Sequence, residues 1–142
     1  MMNTTVDTKE LVRTALTARA LAYSPYSHFS VGAALLTESG KVYTGCNVEC
    51  ASYSASNCAE RTAFFKAVSN GERRFTAIAI VGGKAGAPVT SICPPCGICR
   101  QVMMEFCDPA TFQVILASGN ETWKICTLEE LLPIGFGPKN LK

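Results

Sequence analysis

Two short runs in this sequence are almost free of polar side chains: residues 77–81 (Ala-Ile-Ala-Ile-Val) and residues 112–117 (Phe-Gln-Val-Ile-Leu-Ala). A strand with one wet face alternates apolar and polar residues, whereas an unbroken apolar run reads as a strand covered on both faces. A sheet holding two such strands needs helix packed on either side, which is the layout of an α/β fold. The length of 142 residues fits one domain, residues 1–142. A composition of 48% hydrophobic against 17% charged residues supplies the core without outside staples.

The flanking patterns fill in the layers. Asp7 and Glu10 resemble a capping box, and Leu11, Ala15, Ala18 and Ala22 follow on one helical stripe that Pro25 ends. Phe29, Val31, Ala33 and Leu35 alternate as a strand does, and a turn at 38–41 leads into a second strand over 41–46. A loop rich in Ser, Asn and Cys spans 47–57. Cys58 opens a helix carrying Phe64, Phe65 and Val68, closed by Asn70-Gly71. Residues 82–87 read as loop, and Pro94-Pro95 precede a helix over about 96–106. The run at 112–117 turns at 118–120 into a last strand, 123–127, and Thr127 with Glu130 caps a short helix ending at Leu132. Parallel neighbours need a crossover of a dozen or more residues, so the short gap from 117 to 123 forces an antiparallel pair. The expected fold is a three-layer α/β/α sandwich around a mixed five-stranded sheet, with antiparallel first and last hairpins.

Charge excludes one class of partner. Thirteen Lys and Arg against eleven Asp and Glu leave a net +2, with no basic run of the kind that tracks nucleic-acid phosphates. The start, Met-Met-Asn-Thr-Thr-Val-Asp, has neither a basic nor an apolar leader segment, and no apolar stretch approaches the roughly 18 residues that span a bilayer. A cytoplasmic protein without membrane contact is expected, its thiols reduced. Eight cysteines fall short of the roughly 8–10% that marks a secreted disulfide scaffold, so clustered cysteines here read as metal-binding or catalytic.

Two segments carry that chemistry: Cys58-Ala59-Glu60 and Pro95-Cys96-Gly97-Ile98-Cys99. A Cys-x-x-Cys turn lets two thiolates reach one zinc at about 2.3 Å. Both segments open helices, where free backbone N–H groups favour thiolate over thiol. Cys58, Cys96 and Cys99 on one ion would leave a fourth position open, the arrangement of catalytic rather than structural zinc. Glu60 then reaches water on the metal if the ion lies off the helix end, where a carboxylate can take and return a proton. Arg61, three residues after Cys58, and Arg100, directly after Cys99, would offset the negative charge of three thiolates.

Zinc deaminases carry a His/Cys-x-Glu … Pro-Cys-x-x-Cys signature, and the sequence resembles the small, tetrameric-type cytidine deaminases. The resemblance runs through Pro25-Tyr26-Ser27-His28-Phe29, Gly45-Cys46-Asn47-Val48-Glu49, Cys58-Ala59-Glu60-Arg61-Thr62-Ala63, Pro95-Cys96-Gly97-Ile98-Cys99-Arg100-Gln101 and Leu131-Leu132-Pro133. It implies a cytidine deaminase-like fold and hydrolytic deamination of cytidine and deoxycytidine to uridine and deoxyuridine, a step of pyrimidine salvage. In that scheme a zinc-bound hydroxide attacks C4 of the base and Glu60 shuttles protons, with one zinc per subunit. The resemblance also implies that Asn47 and Glu49 hold the ribose, that Phe29 packs on the base and that Ala59 lines the substrate site. Tyr53 and Phe136 would complete sites across subunit boundaries of a homotetramer. Cys50 stands where the family often has Asn, and Cys93 matches no family role.

Plainer readings compete residue by residue. Cys96 and Cys99 could form a structural zinc knuckle closed by Cys93, Cys46 or Cys50. Cys93, Cys96 and Cys99 echo an iron–sulfur run, but Met103 stands where its fourth cysteine belongs. Cys46, Cys50, Cys93, Cys107 and Cys126 read as small buried hydrophobes. Arg61 and Arg100 could be surface charges, Phe29 a core residue and His28 a loop residue. Beside cytidine deamination stand a deaminase of another aminopyrimidine, such as blasticidin S, and a zinc-stabilised domain without catalysis.

Overall fold

The computed structural model describes residues 6–142, so the leader reading at the start falls largely on residues outside it. Five strands, β1 (Phe29–Thr37), β2 (Val42–Cys46), β3 (Phe75–Lys84), β4 (Gln113–Ala117) and β5 (Trp123–Thr127), form one sheet in the order β2-β1-β3-β4-β5. β1 pairs antiparallel with both β2 and β3, β3 pairs parallel with β4, and β4 pairs antiparallel with β5. The mixed sheet and both antiparallel hairpins therefore match the expected fold.

Strand periodicity divides the core in two. Ala33, Leu35, Ile78, Ile80, Val114 and Leu116 point to one face, where they meet α2 (Ala59–Ser69) and α3 (Gly97–Phe106). Their neighbours Ala34, Leu36, Ala77, Ala79, Val81 and Ile115 point to the other, where α1 (Thr8–Arg19) supplies Leu11, Val12 and Ala15. Each unbroken apolar run thus feeds both layers, one residue at a time. A fully buried aliphatic side chain contributes about 1.5–3 kcal/mol, so the runs are the main stabilising element of the sheet. On the α2 face, Phe64 sits among the rings of Phe75, Phe106 and Phe112 at 5.1, 6.2 and 6.1 Å.

Three boundaries differ from expectation. α1 ends at Arg19, so Ala22 lies beyond the helix, and Asp7 caps it by accepting from Glu10 N at 3.1 Å. Residues 82–84 belong to β3 rather than to a loop, because β1 continues beside them and pairs Phe29 with Lys84. Two glycines hid that extension: they lack the side chains by which a strand is read. The loop over 47–57 contains a 3-10 turn, Tyr53–Ala55, and Val48 bridges to both Tyr23 and Asn57. The expected capping box forms at α4 (Leu128–Leu131), where Thr127 and Glu130 exchange hydrogen bonds. Gly45 in β2 lets α2 press onto the sheet, since a methyl group there would meet Ala59 O and lie 2.5 Å from Ala63 N. No helix among the described residues is long and apolar enough to cross a membrane.

Candidate active site

Cys58 is the N-cap of α2 and Cys96 the N-cap of α3, and neither side chain caps its own helix. Both sulfurs are therefore free to point away from the helix ends, toward each other. The Sγ atoms of Cys58 and Cys96 stand 3.7 Å apart, and those of Cys96 and Cys99 3.5 Å apart. Three thiolates bound at 2.3 Å in tetrahedral geometry would stand about 3.8 Å from one another. The donor set and its spacing fit zinc. Among the described residues this is the one group of three or more ligating side chains within 4.8 Å of each other, and Cys46, Cys50 and Cys93 lie outside it. A four-cysteine structural knuckle is thus not assembled, and the three thiols leave one position open to the cleft.

Electrostatics reflect that crowding. Hydrogen bonding from Cys99, helped by Arg61 and Cys96, pulls the Cys58 thiol down to about 5 against the opposing effect of burial. Cys99 moves the other way, because it gives its proton to the bond with Cys58 and is itself buried. Arg61 Nη2 donates to Cys58 Sγ at 3.3 Å, while its Nε is buried without a partner. Burial opposes the Arg61 charge, but hydrogen bonds with Cys58 and Cys99 hold it. Arg100 is oriented differently: its Nε donates to Pro95 O at 2.8 Å and its Nη1 to Leu131 O at 2.6 Å. Its bonds go to main-chain carbonyls rather than to the thiols.

Glu60, in the first turn of α2, is 4% exposed. Burial, with the Cys58 charge adding to it, raises its carboxyl to about 7. A cation at the thiolates would pull that value back down. Cys58, Ala59, Glu60 and Cys96 line a cleft of about 410 Å³ together with Asn47, Glu49 and Tyr53. A larger cavity of about 650 Å³, between the end of α3 and the C-terminal tail, holds none of the clustered thiols and not Glu60.

The other site residues expected from the sequence take varied places. Asn47 Nδ2 donates to Phe29 O at 2.8 Å, and its Oδ1 accepts from Val31 N at 2.9 Å, which ties the loop to the start of β1. Glu49 Oε1 accepts from Tyr26 N and Ser27 N, each at 3.0 Å, and Oε2 accepts from the Ser27 hydroxyl. The Ser27 bonds hold its carboxyl below the usual range. Phe29 is 42% exposed, so it is not a core residue of the described chain. Tyr53 lies in the 3-10 turn at 73% exposure, its ring 5.9 Å from Tyr26. Phe136, 58% exposed, is not among the cleft-lining residues of its own chain, and its carbonyl accepts from Gln101. His28 enters β1 with φ 57° and is outside the thiol group. Sequence reasoning gave Ser27 no separate role and left Cys93 as a small hydrophobe or a fourth knuckle ligand, whereas Ser27 clasps Glu49 and Cys93 lines the cleft. The Pro-Cys-x-x-Cys motif that begins two residues on was the available signal for Cys93.

Known proteins share this arrangement of sequence. A profile described as the cytidine and deoxycytidylate deaminase zinc-binding region matches residues 5–115. A protein of Sporosarcina psychrophila named cytidine deaminase is 48% identical over 136 residues, covering 96% of each chain. A probable cytidine deaminase of Dictyostelium discoideum is 39% identical, over 94% of this chain and 86% of its own. Among solved structures, the cytidine deaminase of Burkholderia pseudomallei is 48% identical with a TM-score of 0.79, covering 89% of this chain and 97% of that one. The cytidine deaminase of Mycobacterium tuberculosis is 39% identical with a TM-score of 0.80, covering 94% and 99%.

Proposed function

We propose that this chain, which belongs to the cytidine and deoxycytidylate deaminase family and is a zinc-dependent hydrolytic deaminase, converts cytidine and 2′-deoxycytidine to uridine and 2′-deoxyuridine with release of ammonia. One observation carries the reading: three thiols at zinc-ligand spacing, with no fourth among the described residues, stand beside a buried carboxylate at a cleft that Cys58 and Cys96 line. Zinc, when bound by Cys58, Cys96 and Cys99, supplies Lewis-acid activation of a water molecule for attack at C4 of the base. Glu60 takes a proton from the attacking water and hands it to N3, then takes the proton left on the new C4 hydroxyl and delivers it to the amine, so that the C4–N bond breaks and ammonia leaves. Its burial suits that work, because a carboxyl only 4% exposed exchanges its proton with the bound substrate rather than with bulk water. Arg61 offsets the thiolate charge through its bond to Cys58.

Asn47 and Glu49 hold the ribose hydroxyls: each side-chain oxygen already engaged keeps a second lone pair, and the existing bonds fix its direction. Phe29 packs on the base, and Ala59, small and buried beside Glu60, gives the ring room. The substrate is a nucleoside rather than a nucleotide. Among the described residues, Arg61 is the one basic residue lining the cleft or the neighbouring cavity around Tyr26, and it faces a thiolate, whereas Glu49 would repel a phosphate. Tyr53 and Phe136, exposed here, serve the sites of neighbouring subunits in a homotetramer of single-domain chains. The enzyme works in the cytoplasm, in pyrimidine salvage.

The test is a Glu60→Ala variant beside the wild type, with zinc content and absorbance loss measured on cytidine, deoxycytidine, CMP and blasticidin S. The variant keeps zinc and fold and loses at least about 10²–10⁴-fold in turnover. Normal ammonia release from cytidine by Glu60→Ala would refute the mechanism, and faster turnover of CMP or blasticidin S would refute the substrate. A Phe136→Ala enzyme that is a fully active monomer would refute the shared site.

A further inference from the structure

Gly82 lies near the C-terminal end of β3, past the residues that pair with β4, and is buried. Its missing side chain is replaced by another residue. A methyl group built on Gly82 would lie 2.8 Å from both the Cβ and the Sγ of Cys93, and 3.2 Å from Cε2 of Phe29. Cys93 therefore sits in the place that a side chain of β3 would take, and fills it.

The chain stiffens immediately after Cys93. Pro94 and Pro95 each lock φ near −65°, and each also restricts the residue before it. Pro95 is buried, and its carbonyl is clamped by Arg100 Nε at 2.8 Å. The next residue is Cys96, whose sulfur stands 3.5 Å from Cys99 and 3.7 Å from Cys58. A short rigid strut thus joins the sheet at Gly82 to the thiol cluster.

We infer that Gly82 and Cys93 form a seat that positions Cys96 for zinc, an inference that rests on reading Cys96 as a ligand. Neither residue touches the metal; both are positioning residues. A side chain at 82 would drive Cys93 off by about 0.6 Å, the shortfall of 2.8 Å from an ordinary 3.4 Å contact. The Cys93 Cβ cannot rotate away, so the displacement passes along the two prolines to Cys96. Metal–ligand distances are held within about 0.2 Å, so a shift of that size weakens the site. Burial, with the Glu60 and Cys58 charges adding to it, raises the Cys93 thiol to about 11, as suits a neutral packing group.

The test is zinc affinity by chelator competition, with kcat and KM for cytidine, on wild type, Gly82→Ala, and the swap Gly82→Ala/Cys93→Gly. Gly82→Ala loses about 10–100-fold in zinc affinity, the range seen when a ligand's support is removed. The swap, which removes the CH2–SH group of Cys93 as it adds a methyl group at 82, recovers most of it. A role in stability alone would lower the urea midpoint of Gly82→Ala and leave zinc affinity of the folded protein unchanged. Wild-type zinc affinity in Gly82→Ala would overturn the inference, as would a swap no better than the single variant. Should Gly82→Ala fail to fold, a swap that folds and binds zinc supports the seat, and a swap that also fails to fold refutes it. A wild-type chain that bound no zinc would instead remove the reading of Cys96 as a ligand, and the seat with it.

Discussion

Replacing Gly45 by Ala should damage the site from beneath. The added methyl group would meet Ala59 O and stand 2.5 Å from Ala63 N and 3.1 Å from Ala63 Cβ, all on α2. The shortfall from a 3.4 Å contact is about 0.9 Å, and the opposing atoms are mostly backbone, which cannot rotate aside. Relief requires α2 to lift or β2 to bow. Overpacking of this kind costs about 1–3 kcal/mol. With a urea m-value of about 1–3 kcal/mol per M, the midpoint of the zinc-loaded protein should fall by about 1 M. Protein concentration must be held fixed, since any self-association would make the midpoint depend on it. The first turn of α2 carries Glu60 and its N-cap is Cys58. Misplacement by about 1 Å can cost about 10²-fold in rate, so kcat/KM for cytidine should fall by about that factor. Gly40→Ala is the control: it has open space but φ 95°, on the β1–β2 turn, so it should cost about 1–2 kcal/mol and spare kcat/KM. A Gly45→Ala protein with wild-type midpoint and wild-type kcat/KM would refute the close-approach argument.

Phe64→Ala removes the ring at the centre of the aromatic cluster and should cost about 3–5 kcal/mol, read as a lower urea midpoint; a loss under 1 kcal/mol would mean the cluster collapses freely. Arg61→Ala removes the donor to Cys58 and should reduce zinc affinity about 10–100-fold by chelator competition; unchanged affinity and rate would make Arg61 an ordinary charge. Arg100→Ala breaks the bonds to Pro95 and Leu131 and should lower stability by about 1.5–3 kcal/mol for each bond lost, measured in urea; no change would mean water replaces both.

Sequence periodicity settles what is local and repetitive. The runs at 77–81 and 112–117 become β3 and β4 with both faces covered, because an apolar side chain on either face needs a partner layer. The short 117–123 gap dictates the antiparallel β4–β5 pair. Cys58, Cys96 and Cys99 stand apart from the other five cysteines by their places at helix starts and their spacing, both readable along the chain. Only tertiary structure decides where the chain's long-range neighbours fall. Residues 82–84 are strand because β1 runs beside them, and their own side chains carry no sign of it. Arg61 and Arg100 both stand within one helical turn of a clustered cysteine in sequence, yet one faces a thiol and the other two carbonyls, since their directions depend on the helix packing around them. Cys93 stands close to the Pro-Cys-x-x-Cys motif, but the space it fills is left by an absent side chain eleven residues earlier, on a strand it does not belong to. A sequence pattern reports each residue's preference for burial and backbone shape, whereas a site depends on which distant atoms share a given volume, and that is defined only once the sheet has chosen its neighbours.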